Sequence, residues 1–233
     1  TPGSGSYSAG PQMVTPRANS MSTTRLKDGR FLIAGGSNVA ILANAEIYDP
    51  QTNTFTATGS LNTARQAHTA TLLIDGRVLI TGGSGVSGPI ASAEIYNPAT
   101  GVFTNLASLT TIRTSHAATL LPNGKVLISG GCPTVCDSSS LSSAEVFDPA
   151  AGTFTATSNS MSSPRMGHAS ILLPNGLVLV AAGATNGYGW GGFTASADLS
   201  DSTSNSFTAT GGMANARANF VASLLPNGEV FIA

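Results

Sequence analysis

The three histidines of this chain occupy one place in a recurring sequence pattern. His68, His116 and His168 each lie three residues after an arginine. If they stand near the starts of neighbouring inner strands, three imidazoles could meet and hold a metal ion. A residue that recurs once per unit usually has a structural role in that unit. We therefore expect each ring to hold neighbouring backbone in place, and we predict no metal site. The histidines remain candidate ligand-binding residues, and Ser20 and Phe220 interrupt the series in the first and fifth units.

The arginines ahead of these histidines mark the repeat more completely. They are spaced 48, 48, 52 and 52 residues apart and are Arg17, Arg65, Arg113, Arg165 and Arg217. Five guanidinium groups could line an entrance that attracts anions. A guanidinium fork can also brace adjacent units by donating to carbonyls or to a carboxylate such as Glu46, Glu94 or Glu145. We expect this structural role.

The two cysteines of the chain, Cys132 and Cys136, are separated by only three residues. We predict a local disulfide between them, which agrees with an oxidising compartment. Two free thiols are the alternative. A metal site fits less well, because a structural zinc needs four ligands and the neighbouring sequence does not supply them.

A glycine-rich segment near residue 190 holds the only tryptophan of the chain. Tyr188, Trp190 and Phe193 alternate there with glycines. Aromatic rings in such a loop could stack on a sugar or on a partner's side chain, and they are candidate ligand-binding residues. The alternative is that Trp190 folds back to cover the end of its own unit.

Each unit contains four short β-rich segments separated by turn signals. In the second unit they are 69–73, 78–81, 93–96 and 102–105. An Asp-Gly or Asn-Gly pair separates the first two segments, which is a strong hairpin signal. An Asp-Pro or Asn-Pro step marks the turn before the fourth segment in the first three units. A period near 50 residues with four strands per unit is typical of a propeller blade.

The repeated unit resembles the kelch repeat in the form found in bacterial secreted proteins, related to the galactose-oxidase-like propeller. The resemblance rests on Arg-x-x-His, the paired glycines at 82–83 and Ala-Glu-Ile-Tyr-Asn-Pro at 93–98. It implies an all-β propeller of about five four-stranded blades, forming a single domain over residues 1–233. The fourth copy departs from the pattern, with Ala-Asp-Leu-Ser-Asp at 197–201, so we expect a weaker third strand there.

The chain ends suggest how the ring closes. Tyr7 precedes Met13 by six residues, as Phe55 precedes Leu61 and Phe103 precedes Leu109, so we expect a fourth strand near Tyr7. Residues 220–225 and 229–232 would supply the first and second strands of the same shared blade. The alternatives are a fragment of a six- or seven-bladed ring and a ring completed by another copy.

An up-and-down blade places alternate connections at opposite ends. The first-to-second and third-to-fourth turns are short and nearly the same in every unit. The second-to-third loops differ in length and content, and they span residues 37–44, 84–92, 132–143 and 184–196. Binding residues tend to lie on variable loops held by a rigid scaffold, so we expect any ligand at the end with the long loops.

Composition excludes several classes of partner. The net charge is −1, and charged residues make up 9% of the chain, against roughly 25% in an ordinary domain. Nucleic-acid binding requires a basic surface, which this chain lacks. No stretch approaches the ~20 apolar residues of a membrane span. A neutral surface rich in Ser and Thr favours a secreted or cell-surface protein.

These observations favour a non-catalytic extracellular module that recognises a protein or a glycan. No nucleophile elbow and no paired acid and base stand out, so we predict no catalytic residues and no cofactor. A structural subunit of a surface assembly or filament, with possible self-association, is one alternative. The resemblance also implies another, a fragment of a galactose-oxidase-like copper radical oxidase, whose chemistry needs a cysteine joined to a tyrosine.

Overall fold

The computed structural model describes residues 10–134, 136, 139–186, 192–218 and 220–233. All regular structure in these ranges is β-strand, and every strand pair is antiparallel. Nothing in these ranges forms a helix with the length and apolar character to cross a bilayer. The expected all-β architecture is confirmed.

Four sheets of four strands follow one another along the chain, each with its strands in sequence order. The first contains β1 Ser22–Arg25, β2 Phe31–Ala34, β3 Ala45–Asp49 and β4 Thr54–Ala57. The second segment contains β5 Thr69–Leu72, β6 Val78–Thr81, β7 Ser84–Gly85, β8 Gly88–Pro89, β9 Ala93–Asn97 and β10 Val102–Asn105. Strands β7 and β8 form a separate small hairpin in the long loop.

The remaining strands repeat this arrangement. The third sheet contains β11 Ala117–Leu120, β12 Val126–Ser129, β13 Ala144–Asp148 and β14 Thr153–Ala156. The fourth contains β15 Ala169–Leu172, β16 Val178–Ala181, β17 Ala197–Asp201 and β18 Ser206–Thr210. A two-stranded sheet of β19 Ala222–Leu224 and β20 Val230–Ile232 follows.

The innermost strands of successive sheets pack side by side. Contacts join β1 to β5, β5 to β11, β11 to β15 and β15 to β19. Sheets that succeed one another in this way around their first strands form a propeller. The predicted outer strand near Tyr7 lies outside the described residues, so the count of five blades stays a prediction.

The hairpin turn at the end of each first strand shows why an Asp-Gly or Asn-Gly pair is needed. Gly76 has φ +92° and its N–H donates to the carbonyl of Leu73 at 3.0 Å, which closes a tight turn. The Leu73 N–H then donates to the Arg77 carbonyl at 2.8 Å, and the Asp75 carboxylate accepts the N–H of Arg77. A glycine in the left-handed region extends the turn by one residue and keeps the strands in register.

Three apolar layers fill the spaces between the four sheets. Between the first two sheets, Leu32 of β2 packs with Val78 and Ile80 of β6. On the opposite side of β6, Leu79 packs into the layer shared with the third sheet. Because each second strand is covered on both faces, its sequence is a continuous apolar run and does not alternate.

The departure of the fourth unit from the repeat does not weaken its third strand. Strand β17 pairs along its whole length with β16 and β18. It is as long as β3, β9 and β13. The backbone ladder is therefore independent of the change from Glu-Ile-Tyr to Asp-Leu-Ser, and the expected weakening is not observed.

Candidate binding face

The order of strands places the four long loops at one end of the propeller. We call this end the long-loop face and define it by residues 37–44, 84–92, 132–143 and 184–196. The segments that cross from each fourth strand to the next first strand reach the same end. The tight turns lie at the other end, which we call the short-turn face. Each repeat arginine and histidine lies in a crossing segment, just before an inner strand.

The repeat arginine joins two sheets through different atoms. The Arg65 guanidinium pairs with Glu94 at 2.7 Å, and its Nη1 donates to the carbonyls of Gly82 and Ser92 at 2.8 and 2.9 Å. These partners all belong to its own sheet. The Arg65 backbone carbonyl accepts the N–H of Gly36 from the preceding sheet at 2.9 Å. One residue therefore makes hydrogen bonds within its own blade and links that blade to the preceding one.

The carboxylate in this pair also accepts two backbone N–H groups and the side-chain amide of Asn62. Glu94 accepts the backbone N–H groups of Asn62 and Thr63 at 2.7 and 3.0 Å. Its side chain is fully buried, as is that of Arg65. Burial lowers the pKa of Arg65, and the attraction and hydrogen bond of Glu94 oppose that shift. A buried pair of this kind is stable because both charges are matched and hydrogen-bonded.

The same arrangement recurs in the first four units. The pairs are Arg17–Glu46 at 2.6 Å, Arg113–Glu145 at 2.9 Å and Arg165–Asp198 at 2.7 Å, besides Arg65–Glu94. In the fourth unit the shorter Asp198 is reached by both the backbone N–H and the hydroxyl of Ser162. Arg217 differs, because Ile232 supplies the one partner that its side chain has among the described residues.

The histidines are separated, and each ring contacts the preceding sheet. Nε2 of His68 lies 2.8 Å from the Ser22 hydroxyl, Nε2 of His116 lies 2.9 Å from Thr69, and Nε2 of His168 lies 2.8 Å from Ser129. Burial, together with nearby arginines, lowers the pKa of His68 and of His168 to about 3 and that of His116 well below 6.5. The rings are therefore neutral at physiological pH.

The histidines do not form a metal site with other side chains. In the part of the chain that the structure describes, no group of three or more His, Cys, Asp or Glu side chains is placed to hold an ion. In the first unit, Met21 occupies the position of the histidines, although counting three residues from Arg17 would assign that position to Ser20. Its Cβ lies beside Gly36, as the Cβ of His68 lies beside Gly83.

Backbone hydrogen bonds between crossing segments form an arc around the inner strands. Ala67 donates to Ser20, Ser115 to Ala67 and Gly167 to Ser115, at 3.0 to 3.1 Å. These four residues all have φ between +51° and +55°. Because the left-handed conformation is unfavourable for alanine and serine, the surrounding contacts must enforce it. The spacing of the arginines alone gave no sign of this arc.

The base of the aromatic loop is held by backbone pairing. Thr185 donates to the Gly192 carbonyl through its N–H at 2.7 Å and through its hydroxyl at 2.9 Å. Phe193 follows this closure and is 56% exposed. The other two candidate aromatics, Tyr188 and Trp190, lie outside the described residues.

The neighbouring loop contains the disulfide and packs beside the aromatic loop. Cys132 and Cys136 are joined, and both sulfurs are buried. They contact Met166 and Ala184, which belong to the following unit. The Ser140 hydroxyl also donates to the Ala184 carbonyl at 2.9 Å. The third and fourth long loops therefore form one connected surface.

Comparison with known proteins agrees with the repeat and with the fold. The model of the Kelch motif matches residues 67–110. The chain contains a Kelch motif and folds as a β-propeller. A structure entitled as a novel fungal alcohol oxidase of the AA5 family in complex with copper is similar, with a TM-score of 0.59 and 16% identity. The match covers 90% of this chain and 57% of that one. No curated protein matches significantly.

The residues of this propeller do not fit the copper site that such a neighbour suggests. The three imidazoles come from different units, and each Nε2 atom contacts a hydroxyl of the preceding sheet. Cys132 and Cys136 are bonded to each other, so neither is joined to a tyrosine. The described residues therefore supply no ligand set for that ion.

The two ends of the propeller differ sharply in charge. The short-turn face contains exposed ion pairs, which are Asp28–Arg30, Asp75–Arg77 and Lys125–Asp148. The four loops of the long-loop face contain one charged residue, Asp137, which lies outside the described residues. In the crossing segments, the four arginines that pair with a carboxylate are buried. The sequence alone reveals this segregation when each charged residue is assigned to a short turn or to a long loop.

The long-loop face also exposes apolar side chains on its loops. Val39 is fully exposed, Val86 is 81% exposed and Phe193 is 56% exposed. Each belongs to a different loop. Grooves between the sheets open on the other side instead, and one of about 580 Å³ is lined by Ile74, Arg77, Lys125 and Asp148. The described part of the long-loop face is thus an uncharged surface with apolar projections.

Proposed function

We propose that this propeller is a non-catalytic extracellular module that binds a protein or a glycan through its long-loop face. One observation carries the proposal: the long loops are almost free of charge and expose Val39, Val86 and Phe193. An exposed apolar side chain loses no hydrogen bonds when a partner covers it. Isolated exposed apolar residues are common, but here three project from the same end.

The chemistry of the loops suits a neutral partner. Serine and glycine are the commonest residues in them, and asparagine and a few aromatic side chains are also present. This mixture gives adaptable hydrogen bonding and rigid apolar contacts, as in antibody loops. Tyr188, Trp190 and Phe193 would supply stacking surfaces for a sugar ring or for a partner's side chain. The arginines and the histidines would hold the loop bases and would not touch the ligand.

An extracellular location is supported by the bond between Cys132 and Cys136. Disulfides persist in oxidising compartments and are rare in the cytosol. The low content of charged residues points the same way. An ordered disulfide loop beside the aromatic loop would also limit the entropy lost when a partner binds.

The test is a glycan array, together with capture of extracellular proteins, using the complete chain of 233 residues. We expect Trp190→Ala and Phe193→Ala to weaken binding of any hit at least tenfold. Ile74→Ala is the matched control, because Ile74 is an exposed apolar residue on the short-turn face and its loss should leave binding unchanged. Equal loss in all three variants, or no loss in the two aromatic variants, would remove the long-loop face from consideration.

A further inference from the structure

The outermost strand of the first sheet presents hydroxyl groups towards the second sheet. Side chains alternate along β4, so Thr54 and Thr56 lie on the face opposite to Phe55, and both threonines are exposed. In the register of the sheet, Asp49 lies beside Thr54, and Ile47 lies beside Thr56. A carboxylate, two hydroxyls and an aliphatic side chain therefore share one patch of the sheet face.

This patch forms one wall of a groove of about 290 Å³ between the first and second sheets, which we call the first rim groove. Arg30 lines it from the hairpin turn of the first sheet, and Gly101 lines it from the outer hairpin of the second. Two hydrogen bonds fix the sheets beside the groove. The Gly59 N–H donates to the Gly101 carbonyl at 3.0 Å, and the hydroxyls of Thr58 and Tyr96 lie 2.8 Å apart.

The same groove recurs between the third and fourth sheets, with a volume of about 280 Å³, and we call it the second rim groove. The residues that correspond to Asp49, Thr54, Ile47, Thr56 and Arg30 are Asp148, Thr153, Val146, Thr155 and Lys125. The Ser158 N–H donates to the Asn205 carbonyl at 2.8 Å, as Gly59 donates to Gly101. Both the lining groups and the link between the sheets are therefore repeated.

The second and fourth sheets lack part of this set. In the second, Asn97 lies beside Val102, so the acid and one hydroxyl are absent. The described residues of that sheet also show no counterpart of the Gly59–Gly101 hydrogen bond. The fourth sheet keeps the acid and the hydroxyls but has Leu177 in place of the cation. All four sheets are fully paired, so the fold does not require the complete set of groups.

The charges in the rim grooves are already balanced. Arg30 pairs with Asp28 at 2.7 Å, and Lys125 pairs with Asp148 at 2.9 Å. An anionic ligand would compete with these carboxylates for the same cations. A neutral ligand with many hydroxyl groups can instead donate to the carboxylate and accept from the threonines and the cation, because both kinds of partner are present. Its C–H groups would cover the aliphatic side chain.

We propose that the two rim grooves bind sugar units of a neutral oligosaccharide or polysaccharide. Sugars combine closely spaced hydroxyls with apolar C–H faces, which matches the lining. The groove volumes are near the lower end of the range of about 300–1,000 Å³ for small-ligand sites. An extended peptide would instead add to the strand edge through its backbone and would not lie on the sheet face.

Two grooves on one chain also favour a polymeric ligand. Once one groove is occupied, binding of the same polysaccharide in the other is intramolecular, which raises the overall affinity without any new contact. The rim grooves lie away from the long loops, so they are independent of the proposed function.

The experiment is an NMR titration of the complete chain, labelled with ¹⁵N, which detects weak binding and locates it. The probes are cellohexaose, maltohexaose, laminarihexaose, xylohexaose and mannohexaose, each added separately. We expect at least one of them to shift the amides of residues 54–58 and 153–157 in a saturable manner and to leave residues 208–210 unchanged. An oligogalacturonate, as the anionic comparison, should bind no more tightly.

The second sheet supplies substitutions that the fold tolerates. Asp49→Asn combined with Thr54→Val gives the first rim groove the side chains that the second sheet has at these positions. This pair should weaken sugar binding in the first rim groove at least about tenfold, because hydrogen bonds to a carboxylate and to a hydroxyl are lost. The second rim groove should be unaffected.

The reciprocal variant combines Asp148→Asn with Thr153→Val and should weaken binding in the second rim groove alone. Thr208→Val is the matched control, because Thr208 is an exposed threonine at the repeat position of Thr56 and Thr155 in the sheet without the cation. It should leave both grooves unchanged.

Three results would overturn the proposal. No hexasaccharide shifts either set of amides, the oligogalacturonate binds more tightly than every neutral probe, or the paired substitutions leave sugar binding unaltered. Sugar-dependent shifts confined to residues 37–44 and 84–92 would also refute the rim grooves, while supporting the proposed function. Phe193→Ala should leave the shifts at the rim grooves unchanged, so the two proposals fail separately.

Discussion

The buried ion pair is the residue-scale feature that recurs most regularly in this propeller. Replacing Glu94 with Gln preserves the shape of the side chain but leaves the Arg65 charge buried without its counter-charge. Removing one partner of a buried pair costs about 3–5 kcal/mol, because the remaining charge is still desolvated. We expect Glu94→Gln to lower the free energy of unfolding by that amount in urea titrations.

The control for this prediction lies at the short-turn face. Asp75 pairs with Arg77, and both side chains are about two-fifths exposed. An exposed pair contributes about 0–1 kcal/mol, so Asp75→Asn should change stability very little. If the two substitutions cost the same, burial would not be the source of the effect.

The histidines make stability depend on pH. They are neutral in the folded protein, where burial holds the pKa of His68 and of His168 at about 3, whereas an unfolded histidine has a pKa near 6.5. Between these values the unfolded chain binds more protons, so stability is complete above pH 6.5 and is lost as pH falls. Each histidine contributes up to about 1.4 kcal/mol per pH unit below 6.5.

Urea unfolding at several pH values between 7 and 5 tests this coupling, since carboxylates titrate little there. We expect the free energy of unfolding to fall as pH decreases. His116→Gln removes one proton-binding group and should reduce the slope by about one third, whatever it does to stability at pH 7. A free energy of unfolding that is the same at pH 7 and pH 5 would contradict neutral burial of the rings.

The sequence predicted the repeat positions of these residues but not all of their contacts. The spacing of Arg65 and the presence of Glu94 indicated a brace, because a guanidinium can bind a carboxylate and carbonyls together. The link through the arginine's backbone carbonyl to the preceding sheet has no side-chain signal. Met21 lies four residues after Arg17, whereas each histidine lies three residues after its arginine. Spacing alone does not show where the chain accommodates the extra residue, so the equivalence of Met21 and the histidines was missed.

At the scale of elements, paired glycines end the second strands for reasons of space. Gly82 has φ +57°, and a Cβ there would lie 2.4 Å from the Arg113 carbonyl oxygen and 2.9 Å from Cε1 of His116, both in the next unit. The fourth unit has Ala182 at this position with φ +64°, and the next unit there has Phe220 in place of histidine. Glycine at the end of a second strand is therefore required where the next unit has a histidine.

We expect Gly82→Ala to destabilise the protein by about 1–3 kcal/mol, the range for a strained backbone and an overpacked site. The matched change Ala182→Gly should alter stability by less than about 1 kcal/mol, because that site already accommodates either residue. Thermal unfolding of both variants measures the difference. A Gly82→Ala protein as stable as the unmodified chain would show that the ring of His116 can move away at no cost.

The strands themselves were predictable, and the loops were not. In the second unit the predicted segments agree with β5, β6, β9 and β10 to within one residue, because turn signals bound each apolar run. The small hairpin of β7 and β8 and the closure of the aromatic loop at Thr185 arise from backbone pairing. Glycine-rich sequences specify that pairing weakly.

At the scale of the molecule, stability should fall from the central sheets towards the fifth unit. Strand β12 is paired on both edges and buried on both faces, whereas β20 pairs with β19 alone among the described residues and is partly exposed. Fewer hydrogen bonds and packing contacts within the described residues hold β20, so its opening costs less free energy. Local opening free energies range from near zero at such ends to the global value in the core.

Native-state hydrogen exchange measures this gradient directly. We expect the amides of residues 126–129 to exchange only through global unfolding and those of residues 230–232 to exchange at least a hundredfold faster. Equal protection of the two strands would mean that β20 is already covered, and it would count against the gradient.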